Sequence, residues 1–156
     1  MNGKTQMTQT APKDKDRKAW LGLLARTPPD RLAALMPAPL PDHAVIRAPE
    51  IGSVMVRGRI GATGSAFNCG EMTVTRCSLR LPDGTVGHAY VQGRDRQHAL
   101  HAALIDALMQ TDAAPALRHA CLDPLAAEET SRRMARAGRA AATKVEFFTL
   151  VRGEDR

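Results

Sequence analysis

Five residues, Leu81-Pro82-Asp83-Gly84-Thr85, impose a boundary condition that few folds satisfy. Pro82 fixes φ at the first corner of a tight turn, Asp83 follows, and Gly84 takes the left-handed position that closes a short hairpin loop. β-Branched and apolar residues flank it on both sides, as the two arms of a hairpin require. With Leu81 facing Thr85, pairing runs outward as Arg80 with Val86, Ser78 with His88 and Arg76 with Tyr90. Side chains alternate along a strand, so these six share one face. The opposite face carries Leu79, Cys77, Thr75, Ala89 and Val91, and is the candidate core face.

The preceding run repeats the arrangement. Val54, Val56 and Ile60 point one way, and Met55, Arg57 and Arg59 the other. Laid beside the hairpin in matching register, three strands would set Arg57, Arg59, Arg76 and Arg80 on one side, with His88 and Tyr90 nearby. That is a basic sheet face with something to bind, and a one-residue slip would reverse it. Downstream, Gly93-Arg94-Asp95 opens a long helix reaching Gln110, whose Leu100, Ala103, Leu104, Ala107 and Leu108 recur at helical spacing and should pack on the apolar face. Upstream, residues 16–26 form a short helix with Trp20, Leu23 and Leu24 on its apolar side. Thr27 caps a second helix through Met36, with Pro28 in its first turn, before an extended piece over residues 44–47. Neither helix is long enough to be stable alone, so both must dock. After Pro115, Asp123-Pro124 caps a last helix running to about Ala142, and residues 144–151 (KVEFFTLV) alternate as a final strand. The expected class is α+β: a mainly antiparallel sheet of about four strands, helices packed on one face, and a short N-terminal helical segment. A single domain spans residues 15–153, behind a disordered tail over residues 1–14.

The aromatic residues are Trp20, Phe67, Tyr90, Phe147 and Phe148, and alanine fills many remaining apolar positions. Small side chains bury little area each, at roughly 25 cal/mol per Å², so such a domain leans on a partner for part of its burial. The net charge of +6, from 22 Lys and Arg against 16 Asp and Glu, favours phosphates, nucleic acid or an acidic protein surface. Three cysteines without close spacing, a polar and charged N-terminus, and no run approaching the roughly 20 apolar residues of a membrane helix point to the cytoplasm and reduced thiols.

Individual motifs carry two readings each. The loop Gly61-Ala62-Thr63-Gly64-Ser65, flanked by Arg57 and Arg59, is either a phosphate-facing set of N–H groups or a plain inter-strand turn; it lacks the lysine of a P-loop. His98 and His101, one helical turn apart, could both face outward but have no evident third metal ligand within this chain; a histidine could complete a site on another subunit. Arg132, Arg136 and Arg139, with Arg133 beside them, are a solvated helix face or a contact for an acidic partner or polyphosphate. Glu71 is the carboxylate best placed to matter, but it has no second acid, and no Ser-His-Asp or Cys-His arrangement stands out. A self-contained catalytic set is missing.

Long blocks in fixed order then carry a resemblance: EIGSVMVRGRIGATGSAFNCGEMTVTRCSLRLPDGTVGHAYVQGRDRQHA, ALIDALMQ and VEFFTLVRG, preceded by Trp20-Leu24-Ala25 and Val45-Ile46-Arg47-Ala48-Pro49-Glu50. From Trp20 to Gly153 the chain resembles the G-subunit family of the bacterial carbon–phosphorus lyase system, PhnG, of phosphonate metabolism. The resemblance implies a transferase subunit, not catalytic alone, needed for displacement of adenine from MgATP by an alkylphosphonate to give α-D-ribose 1-alkylphosphonate 5-triphosphate. It implies the H, I and J subunits as partners, with the nucleosidase chemistry credited to the I subunit and carbon–phosphorus cleavage to the J subunit. No cofactor is expected on this chain alone, since MgATP is a substrate of the complex. No catalytic residue carries over. From the residues themselves, Arg57, Arg59, Gly61, Gly64, Arg76, Arg80, His88 and His98 are the candidates for phosphate or partner contact. The competing class is a small nucleic-acid-binding module, with the basic face on the backbone and Tyr90 stacking a base, although one aromatic is poor provision for stacking.

Overall fold

The computed structural model describes residues 11–143, with side chains from residue 15. In chain order the elements are α1 (Ala11–Arg26), α2 (Pro29–Ala34), β1 (Ala44–Arg59), β2 (Ala66–Arg80), β3 (Val86–Gln92), α3 (Arg96–Leu108), α4 (Ala114–Leu117) and α5 (Asp123–Ala142). The three strands form one antiparallel sheet in the order β1-β2-β3. The fold is α+β, with three strands among the described residues; the fourth expected strand, residues 144–151, and residues 1–10 of the tail expected over residues 1–14 lie outside them.

The hairpin forms as its turn chemistry dictates. Leu81 N–H donates to Thr85 O at 2.9 Å and Gly84 N–H to Leu81 O at 3.0 Å. Gly84 sits at φ 91°, and Asp83 Oδ1 accepts from Thr85 N–H at 2.8 Å. The register then runs Arg80↔Val86, Ser78↔His88 and Arg76↔Tyr90, as the turn requires. Leu79, Cys77, Thr75, Ala89 and Val91 are consequently buried on the other face.

Helix α3 lies on that face, its N-terminus capped by Asp95, whose side chain accepts from His98 N–H at 2.9 Å. Its backbone comes down onto β3 at Gly87. A Cβ there would overlap Ala103 O and stand 2.7 Å from Ala107 N, so only glycine admits this approach. The helix is buried on nearly every side, from Ala99 and Ala102 through Ile105 and Asp106, and not only along a sheet-facing stripe. The cause is a second layer. α1 packs on α3 and β3, and α2 packs on α3, seating the fully buried Leu24 and Leu32. Each such leucine contributes about 1.5–3 kcal/mol. The two short helices thus dock on their own chain's core.

Three local expectations are corrected. The first helix begins at Ala11 instead of residue 16. Thr27 closes it, with Oγ1 donating to Leu23 O at 2.9 Å; α2 instead starts behind Pro28 without a side-chain cap. Asp123-Pro124 does not cap a new helix, because Leu122 and Asp123 are themselves helical and a π-helical turn, Arg118–Leu122, joins α4 to α5. The widened turn accommodates the N–H that proline lacks without breaking the rod.

Candidate functional site

Among the described residues the sheet face away from α3 is open. Across it Ser78 Oγ lies 2.9 Å from His88 Nδ1, as the Ser78↔His88 pairing demands. Ile46, Arg47, Arg76, Ser78, His88 and Tyr90 line a shallow depression of about 510 Å³. Arg76 does not face it as a free cation. It grips Glu50 with both ends of its fork, Nη2 to Oε1 at 2.9 Å and Nε to Oε2 at 3.2 Å, while Arg47 Nη1 stands 4.0 Å from the same carboxylate. The hydrogen bonds and charge of Arg76 hold Glu50 below the usual carboxylate range, and Glu50 in turn raises Arg76. Arg80, exposed, sits further along by the hairpin turn, beside Asp42 and His43. Glu50, at the β1 position facing Arg76, is a functional candidate that the emphasis on Glu71 missed.

Arg57 and Arg59 do not join this face. The hairpin that links β1 to β2 fixes Arg57 opposite Asn68 and Arg59 opposite Ala66, while Glu50 takes the place opposite Arg76. At about 3.3 Å per residue, the eight steps from Asn68 to Arg76 carry Arg57 roughly 26 Å from it along the strand. Antiparallel connection, not side-by-side alignment, decides the neighbours. The expected four-arginine cluster is therefore two groups, Arg76 and Arg80 with His88 at one end and Arg57 and Arg59 at the other.

At that far end the glycine loop turns back on itself. Gly61 and Ala62 have φ 56° and 66°, Gly64 N–H donates to Ile60 O at 2.8 Å, and Arg59 Nη1 donates to Gly64 O at 3.1 Å. A Cβ on Gly64 would stand 2.7 Å from Ile60 O. The Gly64 N–H is thus already used inside the turn.

His98 and His101 face inward and do not form the outward pair that their spacing allows, because α1 and α2 cover the side of α3 away from the sheet. His98 Nε2 donates to Leu24 O at 2.9 Å, pinning the end of α1, and His101 Nε2 lies 2.9 Å from the Gln97 amide. Burial lowers the His101 pKa. Among the described residues, no group of three or more His, Cys, Asp and Glu side chains could hold a metal ion.

On α5, Arg132 pairs with Glu129 at 2.9 Å and Arg133 approaches it at 3.6 Å. Arg31 forks onto Glu128 and Arg26 reaches Glu129, tying α1 and α2 to α5. Arg136 and Arg139 are exposed beyond these pairs.

A second residue that sequence reasoning missed is Asp106. Wholly buried, it accepts from Arg17 Nε at 3.1 Å and Nη2 at 2.7 Å, from Trp20 Nε1 at 2.9 Å and from His88 N–H at 2.8 Å. It locks α1, β3 and α3 together. Its signal was present: one acid in the middle of the apolar run ALIDALM. Asp106 takes the His88 main-chain N–H and not its ring; among the described residues no carboxylate bonds the His88 ring, and Ser78–His88 stays a pair without a third member.

Among the described residues, a closed core, an uncovered sheet face and a long hairpin carrying Arg57 and Arg59 define a class: a small α+β protein with a three-stranded antiparallel sheet covered by helices on one face. The family model for phosphonate metabolism protein PhnG matches residues 15–153, and the chain belongs to that family. It is 43% identical over 141 residues, 89% of this chain and 90% of the relative, to the alpha-D-ribose 1-methylphosphonate 5-triphosphate synthase subunit PhnG of Rhizobium meliloti (strain 1021).

Proposed function

We propose that this chain is an accessory subunit of a synthase that activates phosphonates. In that reaction an alkylphosphonate oxygen replaces adenine at C1′ of MgATP, breaking the N-glycosidic bond and leaving the triphosphate on C5′, to give α-D-ribose 1-alkylphosphonate 5-triphosphate and free adenine. The observation that carries the reading is the 43% identity to a named synthase subunit over nine-tenths of both chains. The geometry supports it, since the open face and hairpin suit contact with other chains and Ser78–His88 lacks an orienting acid. Its partners are the H, I and J subunits of the carbon–phosphorus lyase core complex, its setting is the cytoplasm, and MgATP belongs to the assembly as substrate. The nucleic-acid reading is weaker, because among the described residues the open face offers one ring, Tyr90, and its best-placed cation, Arg76, is held by Glu50.

Co-expression tests this. Tagged chain should recover the other subunits, and the recovered complex should release adenine from MgATP only when methylphosphonate is present. The chain alone should release none. If the other subunits carry out the reaction equally well without it, the reading fails.

A further inference from the structure

Beyond the pair Gly52↔Val74 the sheet loses its third strand, because β3 ends at Gln92 opposite Val74. From Ser53↔Thr73 out to Arg59↔Ala66, β1 and β2 continue as a two-stranded arm ending in the turn Ile60–Ala62. Two strands alone are at best marginally stable in water. Among the described residues the outer edge of β1 is also unpaired, a template that natural proteins cover or blunt. Large apolar side chains stand free here: Met55 is 54% exposed, Phe67 45% and Ile60, at the tip, 71%. Strand alternation and pairing put Val56, Gly58 and Phe67 on one side, the Phe67 ring 3.6 Å from where a Gly58 Cβ would be. Arg57 and Arg59, opposite Asn68 and Ala66, take the other side, and neither has a carboxylate within 4.0 Å among the described residues. The ribbon thus has an apolar side with Val56 and Phe67 and an opposite side with Arg57, Arg59 and Met55, Glu71 facing Met55, and it is bulged between Val56 and Arg57.

We propose that this arm is the docking element of the chain and that its occupant is another subunit of the synthase, offering an apolar cleft rimmed by carboxylates. The choice rests on the subunit reading above and on charge. A second copy meeting the arm through a two-fold contact would set Arg57 and Arg59 against their own kind, since such a contact uses the same patch twice. An acidic rim answers the two guanidinium groups, and an apolar cleft covers Val56, Phe67 and, at the tip, Ile60.

The co-expressed complex, captured through a tag on this chain, tests the assignment. Phe67→Ala with Ile60→Ser, and separately Arg57→Glu with Arg59→Glu, should each lower recovery of the other subunits roughly tenfold or more. Arg57→Lys with Arg59→Lys should keep most of it, and wild-type recovery should fall as salt rises. All four side chains are exposed, so thermal melting of the variants should match the wild type; the charge-reversed pair removes no packing and decides the matter if the apolar pair melts early. Equal recovery by wild type and both variants overturns the docking assignment and leaves the subunit reading intact. If the wild type recovers no other subunit, the subunit reading itself fails. A self-dimer of the wild type that the arm variants dissolve, with recovery of other subunits unchanged, also overturns the proposal.

Discussion

Replacing Asp106 by alanine should cost more stability than any other single truncation of a polar side chain in this protein. The carboxylate is fully buried on α3 and accepts four hydrogen bonds from two other elements, α1 and β3. In the variant the His88 N–H loses its partner beneath the helix, about 1–3 kcal/mol, and the half-buried Trp20 Nε1 loses a charged acceptor, about 1 kcal/mol. Arg17 is 32% exposed, so its guanidinium rehydrates in part and adds only about 1–2 kcal/mol. The sum, about 3–5 kcal/mol after partial relaxation, is a large share of the 5–15 kcal/mol that holds a typical domain. Asp106→Asn should cost about half as much, because one oxygen survives while the new amide faces donors. Trp20 is the only tryptophan and touches the site, so urea unfolding followed by its fluorescence reads the transition directly. Arg17→Ala made on top of Asp106→Ala should add little, since its bonds are already gone. A loss below about 1 kcal/mol for Asp106→Ala, or strict additivity of the two substitutions, would show that the carboxylate does not join the three elements as described.

Gly87→Ala should lower the urea midpoint by the equivalent of about 3 kcal/mol, since the added methyl must push α3 off β3; an unchanged midpoint would deny the close approach. The His101 pKa lies below its ordinary 6.5 through burial, partly offset by Asp95 and reinforced by His98. The unfolded chain therefore binds the extra proton first, so this contribution is complete above about pH 6.5 and is lost as pH falls through the depressed folded value; His101→Gln should flatten that part of the stability profile. Burial pushes the Cys121 thiol up to about 11 and raises Cys77, whereas Cys69 is exposed. A thiol reagent at about pH 8 should label one cysteine in the folded protein and all three in urea.

The sheet face around the hairpin was legible because the Pro82-Asp83-Gly84 turn fixes register locally, and register fixes which side chains share a face. The position of Arg57 and Arg59 was not, because it depends on which strand end meets which, a property of the connecting loop and not of alternation. Helical periodicity found the side of α3 that meets the sheet, yet missed the second layer, so an outward pair of His98 and His101 stayed open. A buried helix looks amphipathic only to the degree that its covering layers differ. Asp106 escaped for a related reason. Its donors come from residues 17, 20 and 88, and nothing local to the helix announces them. Glu50 lies 26 positions from Arg76, a separation that sequence spacing cannot close without the pairing of β1 with β2.

The distribution of side-chain size separates two tasks. Inside, α3 packs alanines against β3 and brings its backbone down on Gly87, so the core works through close approach with small groups and a few leucines. Outside stand Met55, Ile60, Phe67 and Tyr90, the larger groups that a core starved of aromatics would otherwise use. A chain that holds together without those side chains, yet keeps them where water surrounds them, has placed them for another surface. Stability and assembly should then respond to different substitutions. Changes at Asp106 or Gly87 should lower the unfolding midpoint and affect assembly only as far as they unfold the chain, whereas changes at Phe67 or Arg57 should leave the midpoint in place and weaken assembly directly. If both sets moved both readouts in proportion, the arm would have to be part of the folding unit, and the division between core and arm drawn from burial would be wrong.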